Sequence, residues 1–255
     1  MSTSLTFEYP LNERIRTFLR LEYLFEKVAN FLPQEDPWMS RIAVEGILDI
    51  LTITTRGDIK TELLKELERN TGTLNRMQRE PGVDLKTLEK TLDDLRQVIS
   101  DLHKSSGQIG HFLRQDGFLK SIAKRSSIPG GTCSFDIPQY HYWLRQPLKL
   151  RQQRLSDWMQ HLHPVSNGIA LGLSLARTST EPREVTTTGG FFQEALSAQA
   201  PAQLVRVTLN GGDHLFPEIS GHKNRFSIRF MNSKETGRPT PWQKDTTFTL
   251  TCCIF

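Results

Sequence analysis

The chain opens on Leu5-Thr-Phe-Glu-Tyr9, which alternates apolar and polar positions and stops at Pro10, a pattern that predicts a short strand. A helix should follow at once. Asn12 caps it, Glu13 suits its positive end, and Ile15, Phe18, Leu19, Phe25, Val28, Ala29 and Leu32 form its apolar stripe. Leu21, Leu24 and Phe31 widen the stripe, which implies contact with more than one neighbour. A second helix is predicted from about Pro37 to Thr55, closed by Arg56-Gly57.

The clearest periodicity lies in the third and fourth helices. Leu85, Leu88, Leu92, Leu95, Ile99 and Leu102 alternate spacings of three and four, and Leu63, Leu67, Leu74 and Met77 make a matching seam interrupted by Asn70. Glu80-Pro81-Gly82-Val83 breaks the chain between them, so the two helices should fold back as an antiparallel hairpin, with Asp58 and Asp84 as N-caps. The seam serves an intramolecular bundle, a helical dimer interface, or both if the bundle has a second apolar face. A fifth helix is expected from about Ile109 to Lys124, then an isolated strand over Thr132–Ile137. Pro138 starts more helix, with convincing pieces at Leu148–Leu162 and Val165–Arg177.

From about residue 183 the pattern changes to period two. Val185–Thr188 and Phe191–Glu194 flank Gly189-Gly190, and Leu204–Leu209 precedes Asn210-Gly211, both signatures of hairpin turns. Further strands are expected at Phe226–Met231 and Thr246–Cys253, separated by a polar loop over Asn232–Lys244. Phe248, Leu250 and Cys252 should share one face of the last strand. Helices first and strands last predict an α+β chain: residues 1–10 a strand pairing with the β-rich part, 11–180 a mostly helical bundle with a short strand at about 132–137, and 183–255 an antiparallel β-rich domain. The N-terminal strand, joining that sheet, ties the halves together.

At 255 residues a core forms without disulfide or metal staples. No run approaches the ~18 apolar residues that span a bilayer, and the start lacks an export signal, so a cytosolic chain is expected. Cys133, Cys252 and Cys253 are odd in number and lack C-x-x-C spacing, which fits a reducing compartment and disfavours zinc. Phosphate-binding loops, nucleophile elbows and zinc-protease motifs are absent from the sequence. His161 and His163 lie roughly 200° apart on a helix and cannot chelate one ion, while adjacent Cys252 and Cys253 face opposite sides of a strand. Arg56-Gly57-Asp58 spells an adhesion tripeptide, but a helix stop followed by an N-cap accounts for it.

Charge is more telling in its placement than in its total of +4. Residues 1–130 hold 19 basic and 19 acidic side chains, whereas 131–255 hold 13 against 9, which points to an acidic partner. In His222-Lys-Asn-Arg-Phe-Ser-Ile-Arg-Phe-Met231 the alternation sends Phe226, Ile228 and Phe230 one way and Lys223, Arg225 and Arg229 the other. This is either a solvated face or guarded edge, or an anion-binding face. Arg16 and Arg20, one turn apart on the first helix, form a second basic feature, which Glu13 partly offsets; an ordinary solvated face is the alternative. Because that helix is tethered to the sheet by the N-terminal strand, both features could converge on one surface. Nucleic acid fits less well than an acidic peptide: the strand's aromatics lie on the buried face, where they cannot stack on bases, and a charge of +4 is thin for a duplex binder.

Six blocks, spread from one end of the chain to the other, resemble the ZapD family. They are Phe7-Glu-x-Pro-Leu-Asn-Glu-Arg14; Arg56-Gly57-Asp58 with Lys60–Leu67; Pro81-Gly-Val-Asp84; Ile109-Gly110 with Phe112-Leu-Arg114; Ser127–Gly131 with Cys133–Asp136; and Ile219–Met231. The resemblance implies a non-enzymatic bacterial cell-division factor, cytoplasmic, located at the mid-cell ring of FtsZ and needing no cofactor or metal. Proteins of this family form symmetric homodimers with a helical and a β-rich domain, bind the C-terminal tail of FtsZ and crosslink its filaments. A basic surface formed around the dimer receives the tail. The matching positions here are Arg20, His141, Arg225 and Arg229, with Lys223 and Arg56 as neighbours and Arg16 beside Arg20. Where some relatives carry a further arginine this chain has Gly117, so that surface should be weaker or arranged differently. A basic surface for nucleic acid or another acidic partner is the alternative, and an enzyme acting on an anionic metabolite has no motif behind it.

Overall fold

The computed structural model describes residues 4–55, 57–105, 107–197, 201–210, 214–222, 224–233 and 237–254. In order the chain forms β1 (Leu5–Pro10), α1 (Glu13–Phe31), α2 (Pro37–Thr55), α3 (Ile59–Met77), α4 (Leu85–Lys104), α5 (His111–Gln115), α6 (Gly117–Ser126), α7 (Pro138–Leu144), α8 (Leu148–Gln160) and α9 (His163–Arg177). Then come β2 (Arg183–Thr186), β3 (Phe191–Ala195), β4 (Leu204–Leu209), β5 (Leu215–His222), β6 (Arg225–Asn232), β7 (Thr240–Pro241) and β8 (Thr247–Cys253). The fold is α+β. It divides into two compact units, Met1–Leu19 with Leu173–Phe255, and Arg20–Gly172, so the divisions fall inside α1 and α9.

In the helical unit the leucine seam closes within the protomer. Asp58 caps α3 by accepting from Thr61 N at 3.1 Å, and Asp84 caps α4 by accepting from Lys86 N at 3.1 Å. Lys60 at the start of α3 donates to Ser105 O just past the end of α4 at 2.6 Å, so the pair runs antiparallel. Leu63, Leu67, Leu92, Leu95 and Leu102 are buried, whereas Met77 and Leu85 stay exposed on either side of the turn that joins the two helices. Gly168 explains how α9 covers that seam: a Cβ there would come within 2.8 Å of Leu63 Cδ2 and 3.4 Å of Leu102 Cδ1, so only a missing side chain admits such close approach. Phe118, Tyr140, Trp143 and Trp158 form a second cluster with ring centroids 5.7–6.2 Å apart.

Two expectations are corrected here. The fifth helix is two helices, because the Asp116 carboxylate turns back to accept from Phe118 N at 2.8 Å and Leu119 N at 2.9 Å, ending α5 and capping α6. The short strand at about 132–137 is a series of turns. Its backbone bonds are those of local turns, Cys133 N to Gly130 O at 3.1 Å and Ile137 N to Cys133 O at 3.0 Å. Cys133 Sγ donates to Asp136 at 3.3 Å, and Arg125 pairs with the same carboxylate at 3.5 Å.

The other unit is a pair of sheets packed face to face. One has the order β1-β4-β8-β2; the other has β3-β6-β5, with β7 also pairing β6. All the pairings are antiparallel, and β1 joins β4 with Leu5 opposite Leu209. The inner faces meet through Val205, Val207, Phe226, Ile228, Phe230, Phe248 and Leu250, with the Phe230 and Phe248 rings 5.3 Å apart. Cys252 packs half-buried against this core and Cys253 is fully buried. Burial pushes the first thiol up to about 11 and the second up to about 12, so both stay protonated.

At Gly189-Gly190 the expected reversal is closed by a single antiparallel bridge, Thr188 to Phe191, and extends no further as a hairpin. Gly189 and Gly190 both have positive φ, and a Cβ on Gly190 would lie 2.0 Å from Trp242 O. Yet β2 pairs with β8 and β3 with β6, so this turn carries the chain from one sheet to the other. Gly211 lies outside the described residues, and the strands on either side of it, β4 and β5, likewise belong to different sheets. Strand β5 escaped the sequence pattern because Pro217 and Gly221 interrupt it. As an edge strand it tolerates a proline that donates nothing to the ladder.

Candidate functional site

Strand β6 carries the most distinctive surface. Its burial alternates as the sequence requires: Phe226, Ile228 and Phe230 are buried against the opposite sheet, while Arg225 and Arg229 are exposed on the outer face. Four residues apart, the two guanidinium groups leave the strand about 14 Å from each other. Because β6 is central, with β3 on one side and β5 on the other, a guarded edge is excluded. Cross-strand pairing decides which side chains share the outer face. Arg225 stands opposite Ala195 and His222, Ser227 opposite Gln193 and Ser220, and Arg229 opposite Phe191 and Glu218. Ser220 and Ser227 hydroxyls bond to each other at 2.9 Å, and with Gln193, His222 and Arg225 they line a depression of about 270 Å3. Among the described residues neither arginine makes an ion pair.

Sequence reading missed Phe191, His222 and Glu218 as members of this face. Phe191 sits beside a glycine turn and Glu218 lies on the unrecognised strand, so only the sheet register reveals them. Glu218 is the direct cross-strand neighbour of Arg229.

Arg16, in the same unit, is already engaged. It pairs with Glu13 at 3.1 Å, donates to Pro10 O at 3.5 Å and lies 5.6 Å from the Tyr9 ring centroid. Hydrogen bonding to Tyr9 and then to Glu13 raises its pKa against the opposing effect of burial, which holds the charge at the junction of β1 and α1.

In the helical unit, Arg20 is exposed on α1 and His141 is half-buried on α7. His141 lines a cleft of about 300 Å3 with Asp36, Pro37, Trp38, Arg41, Leu144 and Arg145. Nothing lies within 4 Å of where a side chain would project from Gly117, so the position is open but bears no charge. Arg56 and Lys223 lie outside the described residues. The two arginines of β6 are thus brought onto one face, and Arg20 and His141 belong to the other compact unit. Among the described residues no group of three or more His, Cys, Asp or Glu side chains is placed to hold a metal ion, and no helix is long and apolar enough to cross a membrane.

Residues 19–229 match the family model described as ZapD, a cell division protein. The chain belongs to the ZapD family. It is 40% identical over 254 residues, all of both chains, to cell division protein ZapD of Methylococcus capsulatus. It is also 38% identical over 253 residues to the ZapD of Enterobacter sp., covering 99% of this chain and all of the relative. The ZapD of Aromatoleum aromaticum is 36% identical over 249 residues, 98% of this chain and 97% of the relative. The ZapD match starts at Leu19 and ends at Arg229, so it takes in Arg20, His141, Arg225 and Arg229. A role in cell division follows.

Proposed function

We propose that this ZapD protein acts as a homodimer that binds the C-terminal tail of FtsZ and crosslinks FtsZ filaments at the mid-cell division ring. The observation that carries the reading is the pair of exposed arginines, Arg225 and Arg229, on a central strand, unpaired among the described residues, in a chain of the ZapD family. Like charges on one strand face repel unless a partner supplies carboxylates, so the arrangement favours an acidic, extended ligand. Arg20 and His141 extend the same chemistry in the helical unit, with Arg56 and Lys223 as further contributors. Arg16, held by Glu13 and Tyr9, supports the strand-to-helix junction in this scheme and adds to the positive field. Two copies related by a twofold axis present equivalent surfaces, so one dimer holds tails from two filaments, and linked modest contacts gain strength through effective concentration.

Cosedimentation with FtsZ filaments tests the reading. Full-length FtsZ should carry the protein into the pellet and form bundles, FtsZ lacking its C-terminal tail should do neither, and sedimentation of the protein alone should give a dimer. Equal pelleting with both forms of FtsZ, or a monomer at bundling concentrations, overturns it.

A further inference from the structure

The cleft beside His141 combines features that a purely electrostatic surface does not need. Trp38 lies in the first turn of α2 and is 68% exposed, an unusual cost for the largest apolar side chain. Its ring is held in place: the Arg41 guanidinium lies 5.1 Å from its centroid and 4.8 Å from that of Tyr140, while Arg41 Nη1 donates to Thr132 O and Oγ1, each at 3.2 Å. Pro37 and Leu144 add apolar wall, and Arg145 and His141 stand at the rim. Asp36 is the one acid lining the cleft, and its carboxylate accepts from Trp38 N at 2.8 Å. Arg145 is exposed and makes no ion pair among the described residues. An ordered aromatic face with an unpaired guanidinium beside it has the composition of an interface hot spot. At about 300 Å3 the space is at the small end of ligand pockets and has room for an apolar side chain.

We propose that this cleft anchors the acidic partner segment, taking one proline or branched aliphatic side chain against Trp38 while Arg145 and His141 hold a carboxylate next to it. The inference rests on the tail-binding reading above and deepens it: the basic residues attract the tail, and Trp38 selects it. An acidic segment without an apolar side chain at that place is attracted but not retained.

The test uses the full chain and two fluorescent peptides, the C-terminal tail of FtsZ and a control of equal length and charge in which every apolar residue is serine. Wild type should prefer the tail by about tenfold or more, Trp38→Ala should lose that preference, and Trp38→Phe should keep most of it. Arg145→Ala should weaken both peptides alike. Thermal unfolding followed by circular dichroism should be unchanged in Trp38→Ala, since the ring is exposed. Equal binding of both peptides by wild type, unaltered tail affinity in Trp38→Ala, or an equal loss on both peptides in that variant overturns the anchor and leaves the tail-binding reading standing. No tail binding by wild type overturns both.

Discussion

The guanidinium carbon of Arg229 lies 5.9 Å from the ring centroid of Phe191, its direct cross-strand neighbour, and Phe191 keeps 41% of its surface in water. A planar cation resting on a ring is partly ordered before any partner arrives, so less side-chain entropy is lost when a carboxylate binds. Glu218 on the other flank of β6 limits the net charge, which makes Arg225 the less compensated of the two.

Charge reversal on β6 should therefore be far more damaging than truncation. Arg225→Ala should weaken tail binding by about fivefold at most, because an exposed ion pair contributes ~0.2–1 kcal/mol. Arg225→Glu with Arg229→Glu should abolish bundling in a light-scattering assay, since repulsion replaces attraction. Bundling that survives the double reversal removes this strand from the site. Wild-type binding should also weaken as salt rises, exposed charges being screened over ~8 Å at 0.15 M.

Glu8 on β1 joins two arginines from distant parts of the sequence. Its oxygens accept from Arg177 Nε and Nη2, both at 2.8 Å, and from Arg206 Nε at 2.9 Å. Burial works to raise the carboxyl's pKa, but the hydrogen bond and charge of Arg177, with those of Arg206, outweigh it and hold the group below its ordinary value of 4.5. A depressed folded-state value means that the stabilisation is present above the unfolded value and is lost as pH falls through the folded one. Urea midpoints should drop more steeply on acidification below about pH 4.5 in wild type than in Glu8→Gln, and the variant should be the less stable at neutral pH. Parallel pH profiles would show that the cluster contributes nothing to this dependence.

Arg151 is only 3% exposed, and its hydrogen bonds run to neutral acceptors: Ser40 Oγ, Glu35 O at 2.6 Å and Gln146 O at 3.1 Å. It fastens α8 to the start of α2. Arg151→Ala leaves those groups without their donor and should cost about 2–4 kcal/mol in equilibrium urea unfolding. A loss below about 1 kcal/mol would mean that solvent replaces the guanidinium freely.

Asn70 interrupts the leucine seam and is 0% exposed, with neither side-chain polar atom bonded among the described residues. Replacing a buried amide that lacks partners by an apolar group of similar shape is expected to stabilise, so Asn70→Leu should gain about 1 kcal/mol. A destabilised variant would show that the amide has a partner in solution.

The helices, the seam and the alternation on β6 were legible because each rests on spacing within one or two turns. Asp58 and Asp84 announced their helices, and Arg225 and Arg229 announced their shared face, by local rules alone. The short strand expected at Thr132–Ile137 gives way to local turns, with Cys133 N bonded to Gly130 O and Ile137 N to Cys133 O. The hairpin expected at Gly189-Gly190 stops after one bridge because a glycine pair specifies a reversal without naming the sheet that the returning strand joins.

What the sequence determined by itself was therefore periodicity: where helices and strands run, which face of each is apolar, that β1 joins a sheet, and, through its six blocks, the family. What the tertiary structure decided was partnership and exposure. Only the sheet order made β6 central, set Phe191 and Glu218 against Arg229, and turned two hairpin signals into crossings between sheets. Only packing left Trp38 in water while burying Arg151. These depend on contacts between residues far apart in the chain, and the free energy that selects them is distributed over the whole core, where no short stretch of sequence records it.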